Sequence, residues 1–139
     1  MRETRRAMSS DNVEVVRKAY EAFAHGDLTA VLNQLDPAVL SYTAAPLPDP
    51  TEHHGLEGFL EWVENWTGTF DEFEMEVQEY ISARDMVVVC ALQRATGAAS
   101  GVPVAQTFWL VHTVEHGKIA RIGIHATKDQ ALEAAGVSE

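Results

Sequence analysis

The sequence is poor in cysteine and in basic residues. Cys90 is the only cysteine, and ten Lys and Arg stand against 21 Asp and Glu in 139 residues. A single cysteine cannot form an internal disulfide, which favours a reducing, cytoplasmic setting. The formal charge of −11 is repelled by phosphate backbones and by anionic lipid, so we expect neither nucleic acid nor a membrane surface as a partner.

The chain also lacks a long apolar run. None approaches the ~18 residues that are needed to cross a bilayer, and the basic segment 1–10 has no apolar stretch of the kind found in signal peptides. We expect residues 1–10 to form a flexible tail, within which Met8 is a second candidate start. Residues 11–139 are expected to form one domain, because single domains commonly contain roughly 100–200 residues.

Catalytic signature motifs are absent as well. The segment "GAASG" is not the G-x-S-x-G elbow of hydrolases, and no phosphate-binding glycine loop appears. His53 and His54 are adjacent and therefore point apart, and no third ligand has the spacing of a metal site. Cys90 has no assignable histidine partner and is expected to be an inert buried thiol. We therefore predict no metal and no other cofactor.

Helical periodicity marks three segments before residue 70. "DNVEVVRKAYEAFAHGD" begins at Asp11, a capping residue, and ends at Gly26, which suits a left-handed stop. Asp27 caps "LTAVLNQL", which Asp36-Pro37 terminates because the residue before a proline avoids helical backbone. A short strand, "AVLSYTAA", and a proline-rich loop precede the third helix, "GLEGFLEWVENW".

From residue 70 the period of the apolar pattern changes from 3.6 to 2. Four strands follow, "EFEMEVQEYIS", "DMVVVCALQRA", "VAQTFWLVHTV" and "KIARIGIHA", and then a short helix, "KDQALEAAG". The second strand is apolar nearly throughout, which predicts burial of both its faces. Consecutive strands with short turns form an antiparallel meander, so we predict an α+β fold in which helices cover one face of a curved sheet.

The last hairpin can be registered if His116-Gly117 forms a two-residue turn. The face predicted to meet the helices then carries Thr107, Trp109, Val111 and Thr113 against Ala120, Ile122, Ile124 and Ala126. The opposite face is too apolar for solvent, and we expect it to form a homodimer interface. The interface residues would be Phe108, Leu110, His112, Arg121 and His125.

The chain resembles the SnoaL-like branch of the nuclear-transport-factor-2-like superfamily over residues 11–136. The resemblance rests on "VVRKAYEAFAHGDLTAVLNQLDPAV", "HGLEGFLEW", "ISARDMVVV" and "EHGKIARIGIHATKDQALEAAG", in that order. It implies a cone of three N-terminal helices and a curved antiparallel sheet around an apolar pocket, with dimerisation through the outer face of the sheet. The fold hosts isomerases, dehydratases, epoxide hydrolases, polyketide cyclases and binding proteins, so it does not settle function.

The catalytic residues of these relatives do not carry over. Tyr42 and Trp109 occupy the positions of the two ketosteroid isomerase aspartates. Tyr20 matches the helix tyrosine only with an offset of one residue, which rotates the side chain about 100°. The strands predicted to line the pocket lack the acids of epoxide hydrolases, and the histidine–acid pair of SnoaL-type cyclases cannot be placed.

The loop "PLPDPTEHHG" is the most suggestive catalytic segment. It joins the first strand to the third helix, near the expected open end of the cone. His54 or His53 could move a proton there, oriented by Asp49 or Glu52. Tyr42, predicted to point inward, could donate a hydrogen bond to a substrate oxyanion. A polar connector and a core tyrosine are the alternatives.

The pocket is expected to bind a small hydrophobic molecule, with tryptophans as flat walls for an aromatic or polycyclic ligand. Besides the three candidate catalytic residues, we expect it to be lined by Tyr20, Leu40, Trp62, Trp66, Trp109, Val111, Ile122 and Ile124. Aromatic residues at helical spacing are also common in plain cores. Two functions stay open: cofactor-free acid/base catalysis of cyclase or isomerase type on an apolar carbonyl-bearing substrate, and non-catalytic binding or sensing of a ligand.

Overall fold

A computed structural model describes residues 2–44, 47, 50–68, 70–97 and 101–136. Within these residues the order of elements is α1 (Arg2–Ala24), α2 (Leu28–Asn33), β1 (Leu35–Thr43), β2 (Glu52–His54), α3 (Gly55–Thr67), β3 (Phe70–Ala83), β4 (Met86–Gly97), β5 (Pro103–Glu115), β6 (Lys118–His125) and α4 (Lys128–Ala134). The α+β class is confirmed, and so is the predicted succession of helices and strands apart from β2, which was not predicted. No helix of the described residues is long and apolar enough to span a membrane.

The first helix begins earlier than predicted. It starts at Arg2, so Asp11 lies inside α1 and does not cap it. The preceding "RETRRAM" is rich in good helix formers, which allow the helix to continue toward the N-terminus. Flexibility of residues 1–10 stays a prediction, as does their separation from a domain formed by residues 11–139.

The six strands form one sheet in the order β2-β1-β6-β5-β4-β3. Strands β3 to β6 are the predicted antiparallel meander, and β1 joins it in parallel beside β6. The turn residues His116 and Gly117 have φ values of 53° and 75°, as a type I′ hairpin turn requires. The two-residue turn is therefore confirmed.

Helices cover both faces of the sheet, which explains the continuous apolar run in β4. On the inner face, residues of α1, α2 and α3 pack with Val87 and Val89 in the main core. On the outer face, Ala131 and Leu132 of α4 pack against Val88 and Val111 in a second cluster. Burial on both faces was the prediction for this strand, and the fully buried Val87, Val88 and Val89 confirm it.

The register of the last hairpin differs from the prediction beyond the first two pairs. Glu115 pairs with Lys118 and Val114 with Ile119 as expected, but Thr113 pairs with Arg121. Ala120 is thus an extra residue, a β-bulge, and a bulge changes which side chains of the two strands share a face. The inner face carries Leu110 and His112 beside Ile122 and Ile124, all of which line an internal cavity.

The assignment of β5 side chains to the two faces was therefore wrong. Trp109 and Val111 belong to the outer cluster under α4. Phe108, Leu110 and His112 are buried on the inner face and cannot form an interface on the outer one. The β6 half of that prediction agrees with the structure, because Arg121 and His125 lie beside Tyr42 on the outer face.

Candidate functional site

A partly enclosed cavity of about 80 Å³ lies between the inner face of the sheet and helices α1, α2 and α3. Apolar and aromatic side chains make up nearly all of its wall. The lining residues that bear on the argument below are Ala19, Tyr20, Trp66, Gln93, His112 and Ile122. Among the described residues, no Asp, Glu, Lys or Arg lines it. The cavity therefore suits a neutral molecule, since a buried charge without a partner is costly.

Tyr20 and His112 form a hydrogen-bonded pair in the wall of this cavity. The hydroxyl of Tyr20 lies 2.9 Å from Nε2 of His112, and the two rings meet edge to face with centroids 5.4 Å apart. Nδ1 of His112 lies 3.1 Å from the carbonyl oxygen of Val87. A carbonyl can only accept, so Nδ1 carries the proton of the neutral ring and Nε2 accepts from Tyr20.

Burial sets the ionisation of both groups. Desolvation lowers the pKa of His112 to about 4, although its backbone hydrogen bonds act in the opposite direction. Burial likewise raises the pKa of Tyr20 well above its usual value. At neutral pH the pair is therefore an uncharged imidazole and an intact phenol. Because the hydroxyl proton of Tyr20 is directed at His112, its oxygen can offer only lone pairs to a ligand.

A second polar group in the cavity wall is the amide of Gln93. Its Oε1 accepts a hydrogen bond of 2.7 Å from Nε1 of Trp66. Its Nε2 is buried and has no hydrogen-bond partner. The side chains of Trp62 and Thr67, by contrast, are paired, with Thr43 Oγ1 at 3.0 Å and with the carbonyl of Val63 at 2.9 Å. Among these groups, Nε2 of Gln93 is therefore the hydrogen-bond donor without a partner.

The two polar groups come from different positions along the strands of the sheet. Gln93 pairs with Gln106 on β5, six positions before His112. At about 3.3 Å per residue this places the two backbones about 20 Å apart along the strand direction.

The structure brings five of the predicted pocket residues to the cavity: Tyr20, Trp62, Trp66, Ile122 and Ile124. Their contact with a ligand stays a prediction. Trp109 and Val111 lie on the outer face because of the bulge at Ala120, so their predicted place in the pocket was wrong.

Tyr42 and Leu40 also face outward, contrary to the prediction. Thr43 and Ser41 are the inward residues of β1, as the hydrogen bond from Trp62 to Thr43 shows, and side chains alternate along a strand. The ring of Tyr42 lies over Gly123, where an added Cβ would stand 1.9 Å from Cζ. Its hydroxyl meets Nε2 of His125 at 2.9 Å. The missing side chain at Gly123 makes room for this ring on the outer face.

His53 and His54 lie on strand β2 at the edge of the sheet, a strand that was not predicted. The His54 side chain is 74% exposed and stands 3.9 Å from Glu52. Nε2 of His53 meets Thr51 Oγ1 at 3.1 Å and its Nδ1 meets Glu61 at 3.4 Å. Neither histidine is among the residues that line the cavity. Asp49, the other proposed orienting acid, lies outside the described residues.

Sequence reasoning missed His112 and Gln93 as pocket residues. One signal could have revealed His112: Ile119 and Ile122 are both apolar but three positions apart, which strict alternation would place on opposite faces. Only a bulge between them brings both to the cavity. Gln93 gives no comparable signal, since a polar residue near a strand end is typical of a solvent-facing position.

Among the described residues, no group of three His, Cys, Asp or Glu side chains is placed to hold a metal ion. Cys90 is buried, and desolvation raises the pKa of its thiol. The thiolate, which is the reactive form, is therefore disfavoured.

Comparison with known proteins supports the resemblance seen in the sequence. The family model of the SnoaL-like domain matches residues 16–122, while the sequence has no match among curated proteins. A crystal structure of an NTF2-like protein of unknown function from Burkholderia pseudomallei is 24% identical, with a TM-score of 0.74, and the match covers 88% of this chain and 95% of that one.

Two further crystal structures are similar. TerC, co-crystallised with polyporic acid, is 19% identical with a TM-score of 0.75, and the match covers 91% of this chain and 98% of TerC. A candidate SnoaL-like polyketide cyclase from Jannaschia sp. CCS1 is 18% identical with a TM-score of 0.74, and the match covers 91% of each chain. At these identities the likeness concerns the fold.

Proposed function

We propose that this chain, which belongs to the SnoaL-like domain family, binds a small, neutral, mostly apolar organic molecule in its internal cavity. The observation that carries the proposal is the cavity itself. Its wall consists of apolar side chains and two uncharged polar groups, the Tyr20–His112 pair and Gln93. Ligand sites in proteins commonly combine a largely apolar wall with a few placed polar groups. The co-crystallised polyporic acid of TerC adds support from the same fold.

The size of the cavity favours a ligand of about one ring. Its 80 Å³ are fewer than the roughly 150 Å³ of an engineered cavity that binds benzene. Even a monocyclic molecule therefore requires side-chain movement that enlarges the cavity, and a polycyclic one requires a larger rearrangement of the helices.

Blocking the cavity tests this proposal. Ala19 is buried and lines the cavity from α1, so Ala19→Leu fills part of the space. Ala24, exposed at the end of the same helix, gives the matched control Ala24→Leu. Calorimetric titration of the wild type with acetophenone should show saturable binding. Ala19→Leu should raise the dissociation constant at least tenfold, and Ala24→Leu should leave it unchanged. Equal binding by both variants would contradict the proposal.

Cofactor-free acid/base catalysis is the second candidate, and the Tyr20–His112 pair is the observation in its favour. A substrate could give a proton to the Tyr20 oxygen while the phenolic proton passes to Nε2 of His112, and the reverse transfer would restore the pair. The pKa of about 4 makes the imidazole a weak base at neutral pH, and catalytic groups work best with a pKa near the working pH. The weak basicity of His112 therefore favours binding over catalysis.

Hydrogen exchange separates the two candidates. If the pair is catalytic, the methyl protons of acetophenone should exchange with D2O faster in the presence of the protein, and Tyr20→Phe and His112→Gln should abolish the acceleration. If acetophenone binds but its methyl protons exchange only at the rate seen without the protein, the protein binds the ligand without catalysing proton transfer. The catalytic roles first given to His53, His54 and Tyr42 stay predictions. The positions of these residues do not favour such roles, because none of the three lines the cavity.

We also propose a homodimer formed through the outer face of the sheet, with its residues corrected for the bulge. Arg121 and His125 are kept from the earlier set, Tyr42 beside them is added, and Phe108, Leu110 and His112 are left out because they are buried on the inner face. Arg121 is exposed and its guanidinium lies 5.1 Å from the centroid of the Tyr42 ring. An aromatic surface with arginine is typical of interfaces. A cytoplasmic location remains a proposal that rests on the single, unpaired Cys90.

A further inference from the structure

The amide of Gln93 is the unusual polar group of the cavity wall. Its residue is 5% exposed, and Nε2, which carries two N–H donors, has no partner. Buried donors in native proteins are nearly always paired, and an unpaired one calls for an explanation. We propose that Gln93 is the recognition residue of the cavity and that its N–H group binds a neutral carbonyl oxygen of the ligand. This inference rests on the proposed binding function.

Trp66 decides which half of the amide is free. An indole N–H can donate but not accept, so the atom at 2.7 Å from Trp66 Nε1 must be the amide oxygen. The nitrogen is then the end left without a partner. Trp66 is itself held by an edge-to-face contact with Phe108, with ring centroids 5.1 Å apart. The direction of the Gln93 donor is therefore fixed by packing before any ligand arrives.

The chemistry of the donor names the class of ligand. An N–H group recognises a hydrogen-bond acceptor, and no Lys or Arg among the described residues lines the cavity to neutralise a carboxylate or phosphate. A neutral ketone, ester or amide oxygen fits these conditions, because burying an unpaired anion costs far more than burying a carbonyl. The ring of Trp66, which lines the cavity beside the amide, suits an aromatic or cyclic group next to that carbonyl.

A matched pair of probes tests the inference. Acetophenone and isopropylbenzene have the same number of non-hydrogen atoms and a similar size, but only acetophenone has a carbonyl oxygen. Dissociation constants for both are measured by calorimetry with the wild type, with Gln93→Met and with Gln106→Met. Gln106 pairs with Gln93 from β5 but is exposed. Gln106→Met therefore makes the same chemical change outside the cavity lining and serves as the control.

The wild type should favour acetophenone over isopropylbenzene more strongly than Gln93→Met does, by about 3- to 10-fold, the effect of one net hydrogen bond. Gln106→Met should behave like the wild type. The side-chain NH2 resonances of Gln93, assigned in the wild type through their bonds to the Gln93 backbone, should shift with acetophenone and not with isopropylbenzene. This spectrum is recorded on the wild type, so it also serves if Gln93→Met does not fold.

The other outcomes separate this inference from the binding function. If both probes bind, with the same preference in all three proteins and with unmoved Gln93 resonances, the cavity binds ligands but Gln93 does not select carbonyls, and the inference is wrong. If neither probe binds, both the inference and the proposed binding function are contradicted.

Discussion

The hydroxyl of Tyr20 on α1 donates its proton to Nε2 of His112 on β5 across 2.9 Å, inside the cavity wall. The bond joins a helix to the sheet and orients the only histidine that the described residues bring to the cavity. His112 is buried and Tyr20 is partly buried, so the bond matters for stability as well as for the chemistry that the cavity can offer.

Removal of the Tyr20 hydroxyl should destabilise the protein. Tyr20→Phe leaves Nε2 of His112 buried without a donor, and such a loss costs about 1–3 kcal/mol in the free energy of unfolding. Urea denaturation followed by circular dichroism measures it. Tyr80 is also partly buried and packs on the same core, but no hydrogen bond of its hydroxyl is found within the described residues, so Tyr80→Phe should change stability by less than about 0.5 kcal/mol. Equal costs for the two variants would contradict the importance of the bond.

His112 should make stability depend on pH. Its pKa is about 4 in the folded protein and about 6.5 when unfolded, so the unfolded chain binds the proton more readily. The contribution of His112 to the free energy of unfolding is therefore at its full value above pH 6.5. It falls by roughly 3 kcal/mol as the pH decreases toward 4. His125, whose pKa burial also lowers, acts in the same direction. The wild type should lose more stability than His112→Gln between pH 7 and pH 4, and equal losses would refute this assignment.

Gly123→Ala should displace the ring of Tyr42. The new Cβ would stand 1.9 Å from Cζ and 2.3 Å from the hydroxyl oxygen, so the ring must move and its bond to His125 must break. We expect a loss of about 1–3 kcal/mol in stability. In a Tyr42→Ala background the same substitution should cost little, and this coupling distinguishes the clash from a general backbone effect. Additive costs in the double variant would show that the ring is not the obstacle.

The proposed dimer should be sensitive to charge at Arg121. Light scattering after size-exclusion chromatography should give twice the chain mass of 15.3 kDa for the wild type. Arg121→Glu should shift the protein toward the monomer, because it removes the cation over Tyr42 and adds a charge to the interface. Lys18→Glu makes the same change on the exposed side of α1 and should leave the dimer intact. A monomeric wild type would contradict the dimer.

The fold was predictable from local patterns, but the membership of the cavity was not. The cap at Asp27, the change of period at residue 70 and the His116-Gly117 turn were read correctly, since each depends on neighbouring residues, whereas Asp11 is not a cap. The inward or outward direction of His112 and Trp109 depends on one extra residue, Ala120, which changes the pairing of every residue beyond it. Tyr42 shows the same limit, because its outward position depends on the small size of Gly123 on another strand.

The most direct test of the binding function uses the four isoleucines. Ile119, Ile122 and Ile124 line the cavity, whereas Ile81 packs against the outer cluster under α4. With 13C-labelled isoleucine δ-methyl groups, titration with acetophenone should shift the three cavity resonances along one saturable curve and leave that of Ile81 in place. If the cavity resonances stay unchanged, or if Ile81 shifts along with them, the internal cavity is not the binding site that we propose.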